Sequence, residues 1–151
     1  MTARELRISM LGALQVQVDG APAHFRTDAQ RALLAYLAAH QGAPQRRDTL
    51  AGLLSPDRPD QEALTYLRNR LTLLRAALGD DEAAPPWFEV DRKQIALRAG
   101  DDVVIDLRRF ERLLALVAAH PHRQLAGCPL CLGRLQEAVE LLVMDKLARR
   151  A

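Results

Sequence analysis

Apolar and polar residues alternate along Leu6-Arg7-Ile8-Ser9-Met10-Leu11 and again along Leu14-Gln15-Val16-Gln17-Val18, with Gly12-Ala13 between them. A period of two is the mark of strands with one buried face. Asp19-Gly20 follows, a dipeptide suited to the tight turn of a hairpin. The pattern predicts a small antiparallel sheet, with one more short strand around Ala23 to Phe25.

The period then changes to that of a helix. Thr27 or Asp28 can cap a first helix with Ala29, Leu33, Tyr36 and Leu37 on one side, ending at His40-Gln41-Gly42 before Pro44. Arg47-Asp48 begins a short second helix through Leu50, Leu53 and Leu54, ended by Ser55-Pro56, and residues 57–60 turn into the third. In that third helix Leu64, Leu67, Leu71, Leu74 and Leu78 step by three, four, three and four, which keeps them in one narrow stripe until Gly79-Asp80. After Pro85-Pro86, Trp87 to Val90 and Gln94 to Leu97 predict a hairpin around Asp91-Arg92-Lys93. Trp87 and Phe88 are expected to pack the hairpin on the helices.

From Asp106, a helix cap, a fourth helix carries Leu107, Phe110, Leu113, Leu114 and Val117 to the break at His120-Pro121-His122. A fifth runs from Leu132 to Leu147 through Leu135, Ala138, Val139 and Leu142. Asp101-Asp102 is expected in a solvated turn, and the domain boundary is expected in the segment from Gly100 to Val103. The fold class is α+β: a winged helix-turn-helix over residues 1–100, with an N-terminal sheet, three helices and a hairpin wing, then a helical hairpin over 101–151.

Composition narrows the classes. The 151 residues are 49% hydrophobic and 26% charged, the balance of a soluble globular protein. No apolar run reaches the roughly 18 to 20 residues of a membrane span, and the first ten residues lack the pattern of a signal peptide, so a cytoplasmic location is expected. A net charge of +2 announces no ligand, but its distribution is uneven. Between Ala63 and Leu78 the charged residues are Arg68, Arg70 and Arg75 alone, with acids gathered outside this segment.

A helix that reads a major groove needs one face packed on its own domain and the opposite face offering donors and acceptors to base edges, with Arg beside it for phosphates. With the Leu stripe inward, the third helix turns Thr65, Tyr66, Asn69 and Thr72 outward and sets Arg68, Arg70 and Arg75 on its flanks. Arg92 and Lys93 at the hairpin tip add two cations. Taken alone, an amphipathic helix of this kind is an ordinary solvated surface helix. The order strands, three helices, basic hairpin is what favours double-stranded DNA as the partner.

Leu6 to Gly12, Arg31 to Ala38, Arg46 to Leu54 and Leu67 to Asp80 resemble the amino-terminal part of SARP-type bacterial transcription activators. These have an OmpR/PhoB-type winged helix followed by a helical bacterial transcriptional activator domain. The resemblance implies that Arg68, Asn69, Arg70 and Thr72 lie on the recognition helix and Arg92 and Lys93 on the wing. It also implies homodimers on direct repeats, with RNA polymerase as a further partner, and an activator domain of which residues 101–151 are only the start.

His120, His122, Cys128 and Cys131 fall within twelve residues between two helices. H-x-H followed by C-x-x-C supplies four ligands of the types that structural zinc prefers. Free or buried cysteines are the second reading and a disulfide or thiol redox pair the third, a standing disulfide being disfavoured by a cytosolic compartment. His24 and His40 stand alone. The chain carries no P-loop, dinucleotide fingerprint, G-x-S-x-G or H-E-x-x-H, so enzymatic activity is not expected and no small-molecule substrate is evident. The rival to DNA binding is a protein-interaction module that dimerises or contacts a larger regulator through its helical hairpin.

Overall fold

The structure is a computed structural model that describes residues 4–150, with side chains as far as Val143. It forms a mixed α+β fold of five helices and two small sheets, compatible with a winged-helix domain. The chain divides into two units, Met1–Ile8 with Gln15–Val104 and Ser9–Leu14 with Ile105–Ala151.

In the first unit, β1 (Leu6–Ser9) and β2 (Gln15–Val18) bury Leu6, Ile8 and Val16 and turn Arg7, Gln15 and Gln17 to solvent, as the alternation requires. The next strand, β3, is Ala21–Pro22 and not the segment around Ala23 to Phe25. Asp19 (φ 53°) and Gly20 (φ 82°) both adopt the left-handed conformation of a two-residue hairpin loop, which places Ala21 opposite Val18. Pairing begins at once after the turn.

Helix α1 (Asp28–Ala39) starts from a capping box. The Thr27 hydroxyl accepts from the Gln30 N–H, and the Gln30 side-chain oxygen accepts from the backbone N–H groups of Arg26 and Thr27. Its inner face buries Leu33, Leu34, Leu37 and Ala38. Strand β4 (Gln45–Arg46) leads straight into α2 (Arg47–Leu54), which buries Leu50 and Ala51 but leaves Leu53 exposed. Helix α3 (Asp60–Ala77) buries Ala63, Leu67, Leu71 and Leu74, and Leu78 continues the stripe. Leu64, the first of the expected stripe, is only half-buried, and Ala63 takes the inward position. Gly79 ends the helix at φ 61°.

Strands β5 (Phe88–Val90) and β6 (Gln94–Leu97) form the hairpin, with Phe88 opposite Leu97 and Val90 opposite Ile95. Trp87 is fully buried and its indole N–H donates to the Leu78 carbonyl at 3.1 Å, satisfying the end of α3. β4 joins this hairpin by pairing with β6, and β7 (Val103–Ile105) joins the N-terminal sheet in the order β3-β2-β1-β7. The first unit runs through Val104, within β7.

The second unit is the hairpin of α4 (Asp106–Ala119) and α5 (Pro129–Arg150). The Asp106 carboxylate accepts from the backbone N–H groups of Met10, Leu11 and Leu107, tying residues 9–14 to the start of α4. Leu113, Val117, Cys131 and Ala138 are buried. The expected position of Leu147 on α5 lies outside the described side chains. Among the described residues no helix is long and apolar enough to cross a membrane.

Candidate nucleic-acid interface

The outer face of α3 presents Thr65, Arg68, Asn69 and Thr72 to solvent. Both threonine hydroxyls donate within the helix, Thr65 to the Gln61 carbonyl at 3.0 Å and Thr72 to the Arg68 carbonyl at 2.9 Å. What they still offer outward is a methyl group and an accepting oxygen. Asn69 keeps both its donor and its acceptor side, the combination that pairs with an adenine edge.

The wing loop is tightly organised. Asp91 Oδ1 accepts from the backbone N–H groups of Lys93 and Gln94, each at 2.7 Å, and the Asp91 N–H donates to the Gln94 carbonyl at 3.0 Å. These bonds, Lys93 first and then Gln94, hold the Asp91 carboxyl below the usual carboxylate range. With the turn closed on Asp91, Arg92 and Lys93 are left exposed at its tip. The start of α2 is fastened to the same turn: the Arg47 N–H donates to the Lys93 carbonyl at 2.9 Å and Arg47 Nε to the Asp91 carbonyl at 3.0 Å.

These elements enclose a cleft of about 470 Å³ lined by Arg46, Arg47, Asp48, Leu64, Arg68, Arg92, Lys93 and Gln94. Five cations and one acid face it. Sequence reasoning missed Arg46 and Arg47: Arg47 served there to mark the beginning of the second helix, and Arg46 only as part of the segment that carries the resemblance. Two adjacent arginines at a helix start were a visible signal, but their approach to the wing depends on the β4–β6 pairing.

The remaining expected contacts on α3 divide. Tyr66 is half-buried, with the Arg58 guanidinium 4.0 Å and that of Arg70 4.9 Å from its ring centroid. Arg70 is half-buried too, and its Nε is enclosed without a hydrogen-bond partner. Arg58, Tyr66, Thr65 and Asn69 border a second, more open hollow of about 310 Å³. Arg58 was missed by sequence reasoning for the same reason, since only the folded chain brings it onto Tyr66. Arg75 faces elsewhere. Its Nε donates to the fully buried Asp80 at 2.6 Å, so it anchors the end of α3.

In the second unit His120, Cys128 and Cys131 converge, with their ligand atoms all within 4.8 Å of one another. His120 Nδ1 stands 3.4 Å from the sulfur of Cys128 and 3.4 Å from that of Cys131. Both cysteines are free thiols. Cys128 immediately precedes α5, and the backbone N–H of Cys131 pulls its thiol below the ordinary value. Burial pushes the Cys131 thiol up, and its neighbour Cys128 adds to the effect. His122, counted with these three at the sequence level, lies outside the group; its ring is exposed and edge-on to His120 at 5.8 Å between centroids.

No family model matches the chain, and no curated protein matches it. Among solved structures it is similar to Mycobacterium tuberculosis EmbR, determined in complex with a low-affinity phosphopeptide, at a TM-score of 0.65 and 23% sequence identity. The match covers 94% of this chain and 36% of EmbR, so the chain spans about a third of that protein's length. At this identity the likeness speaks for the fold, and the chain shares the fold of the matched part of EmbR.

Proposed function

We propose that the chain is a transcription regulator that binds double-stranded DNA, with α3 in the major groove and the wing tip on the backbone or in the minor groove. The observation that carries this reading is the cleft in which Arg46, Arg47, Arg68, Arg92 and Lys93 gather beside the exposed Thr65, Asn69 and Thr72. Even with Arg46 paired to Asp48, the cleft keeps an excess of cations that attracts a polyanion, and a duplex supplies a phosphate charge about every 1.7 Å of its axis. Arg68 lies on α3 and also lines the cleft, so one helix joins phosphate neutralisation to base readout. The SARP-type resemblance and the fold likeness to EmbR support the regulator reading, and the resemblance adds dimers on direct repeats and contact with RNA polymerase. The activity is binding and not catalysis.

A second reading, a module for protein contacts, is favoured by α5, where Leu130, Leu132, Val139 and Val143 are each more than two-fifths exposed. Salt separates the two, because phosphate contacts weaken steeply as salt rises and apolar contacts do not.

Fluorescence-anisotropy titration at two salt concentrations tests the proposal, using DNA from upstream of the gene and an unrelated duplex, with the parent chain and an Arg68→Ala, Asn69→Ala variant. Preferential, salt-sensitive binding is expected, with the substitutions removing most of the preference for the upstream duplex and lowering the salt slope by about 1. Absence of binding to either duplex at micromolar protein and low salt would overturn DNA binding and direct attention to the apolar face of α5.

A further inference from the structure

We propose that His120 Nδ1, Cys128 Sγ and Cys131 Sγ form a binding site for a thiolate-preferring divalent cation of the zinc type, with water in the fourth position. In a tetrahedral site with zinc–sulfur bonds near 2.3 Å and zinc–nitrogen bonds near 2.05 Å, a sulfur and a nitrogen ligand stand about 3.6 Å apart. The imidazole nitrogen here is 3.4 Å from both sulfurs, so the two nitrogen–sulfur edges of such a tetrahedron are already close to length. The same nitrogen stands within hydrogen-bonding reach of both thiols, so the three donor atoms already converge on one point.

The chain arrangement fits the same purpose. His120 caps the end of α4, Cys128 immediately precedes α5 and Cys131 lies in its first turn, so one ion ties the end of one helix to the start of the next. The loop between them holds little apolar material, and the packing around the two cysteines consists of Val117 and Leu135. A small helical hairpin of this kind gains most from a clip.

The site is independent of the cleft in the first unit, so its test stands apart from DNA binding. Titrating the reduced full chain with cobalt(II), followed by displacement with zinc(II), reads the ligands directly. One equivalent is expected to produce a thiolate-to-cobalt charge-transfer band together with the intense visible bands of tetrahedral cobalt, both erased by zinc. The bands are expected to vanish in Cys128→Ser and Cys131→Ser, to weaken in His120→Ala, and to persist in His122→Ala. Alkylation of the unmodified chain provides a second readout that needs no variant to fold: zinc is expected to slow modification of both thiols at least tenfold. Absence of the thiolate band at one equivalent, its survival in Cys131→Ser, or alkylation indifferent to zinc would overturn the site.

Discussion

Arg75 Nε donates to Oδ2 of Asp80 at 2.6 Å, and the other oxygen of that fully buried carboxylate accepts from the Phe88 N–H at 3.1 Å. One side chain thereby holds together the end of α3, the 3₁₀ turn after it (Asp80–Glu82) and the first strand of the wing. The relationship makes Arg75 part of the frame that orients α3 against the hairpin.

Asp80→Ala leaves the Phe88 N–H and the Arg75 guanidinium without their acceptor inside the fold. A loss of about 3 kcal/mol in stability is expected. Arg75→Ala is expected to cost less, because Arg75 is one-third exposed and water can reach the place it vacates. Urea unfolding of both variants checks the order, and an Asp80→Ala protein as stable as the parent would refute the anchoring role.

The DNA-binding reading separates the arginines by salt dependence. Arg68→Ala is expected to reduce the slope of log affinity against log salt by about 1, and the Arg92→Ala, Lys93→Ala pair by about 2, similarly for every duplex. Asn69→Ala is expected to cost about 1–3 kcal/mol of preference for the favoured sequence while leaving the slope alone. Arg75→Ala should leave the slope unchanged. Anisotropy titrations across a salt series provide all four comparisons.

The capping box at Thr27 and Gln30 satisfies backbone donors at the start of α1, and Gln30 is buried. Thr27→Ala is expected to lower stability by about 1 kcal/mol, with Thr27→Ser nearly neutral. Thermal unfolding of the two variants is the measurement, and equal losses in both would mean that the hydroxyl contributes nothing.

Acid should loosen the first unit. The bidentate contact from Arg98, at 2.8 and 2.9 Å, draws the Asp102 carboxyl below its ordinary value; the Glu5 N–H does the same for Asp19 and the Lys93 N–H for Asp91. A carboxylate with a lowered folded value binds fewer protons folded than unfolded, so its contribution is present above the unfolded value of about 3.9 and is lost as pH falls through the folded one. Stability is therefore expected to hold from neutral pH to about 4 and to decline below it. Asp102→Asn should flatten the decline. A decline unchanged in that variant, measured by urea unfolding at several acidic pH values, would assign the acid sensitivity elsewhere.

Much of the fold was legible because it rests on local chemistry. The capping residue of α1, the Asp19-Gly20 turn, the Leu stripe of α3 and the hairpin at residues 87–97 each depend on neighbours a few residues away. The exposed face of α3 was legible for the same reason, as Thr65, Asn69 and Thr72, with Arg68 on their flank, follow from helical period once the Leu stripe is set inward. Strands β4 and β7 were not legible: they are two and three residues long, and their identity comes from partners about fifty and a hundred residues away in sequence.

By itself, then, the sequence determined the order and type of the main elements, the outward face of α3, and the presence of cations at the wing tip and of sulfur and imidazole ligands in one loop. Tertiary structure alone decided how side chains were shared among these elements. It drew Arg46 and Arg47 to the wing through β4, committed Arg75 to Asp80, set Arg58 and Arg70 against Tyr66, and chose His120 over His122 as the partner of the two thiols. Periodicity states which way a side chain leaves its own helix. Which group it meets there is set by long-range packing, and a single chain's pattern carries no record of that meeting.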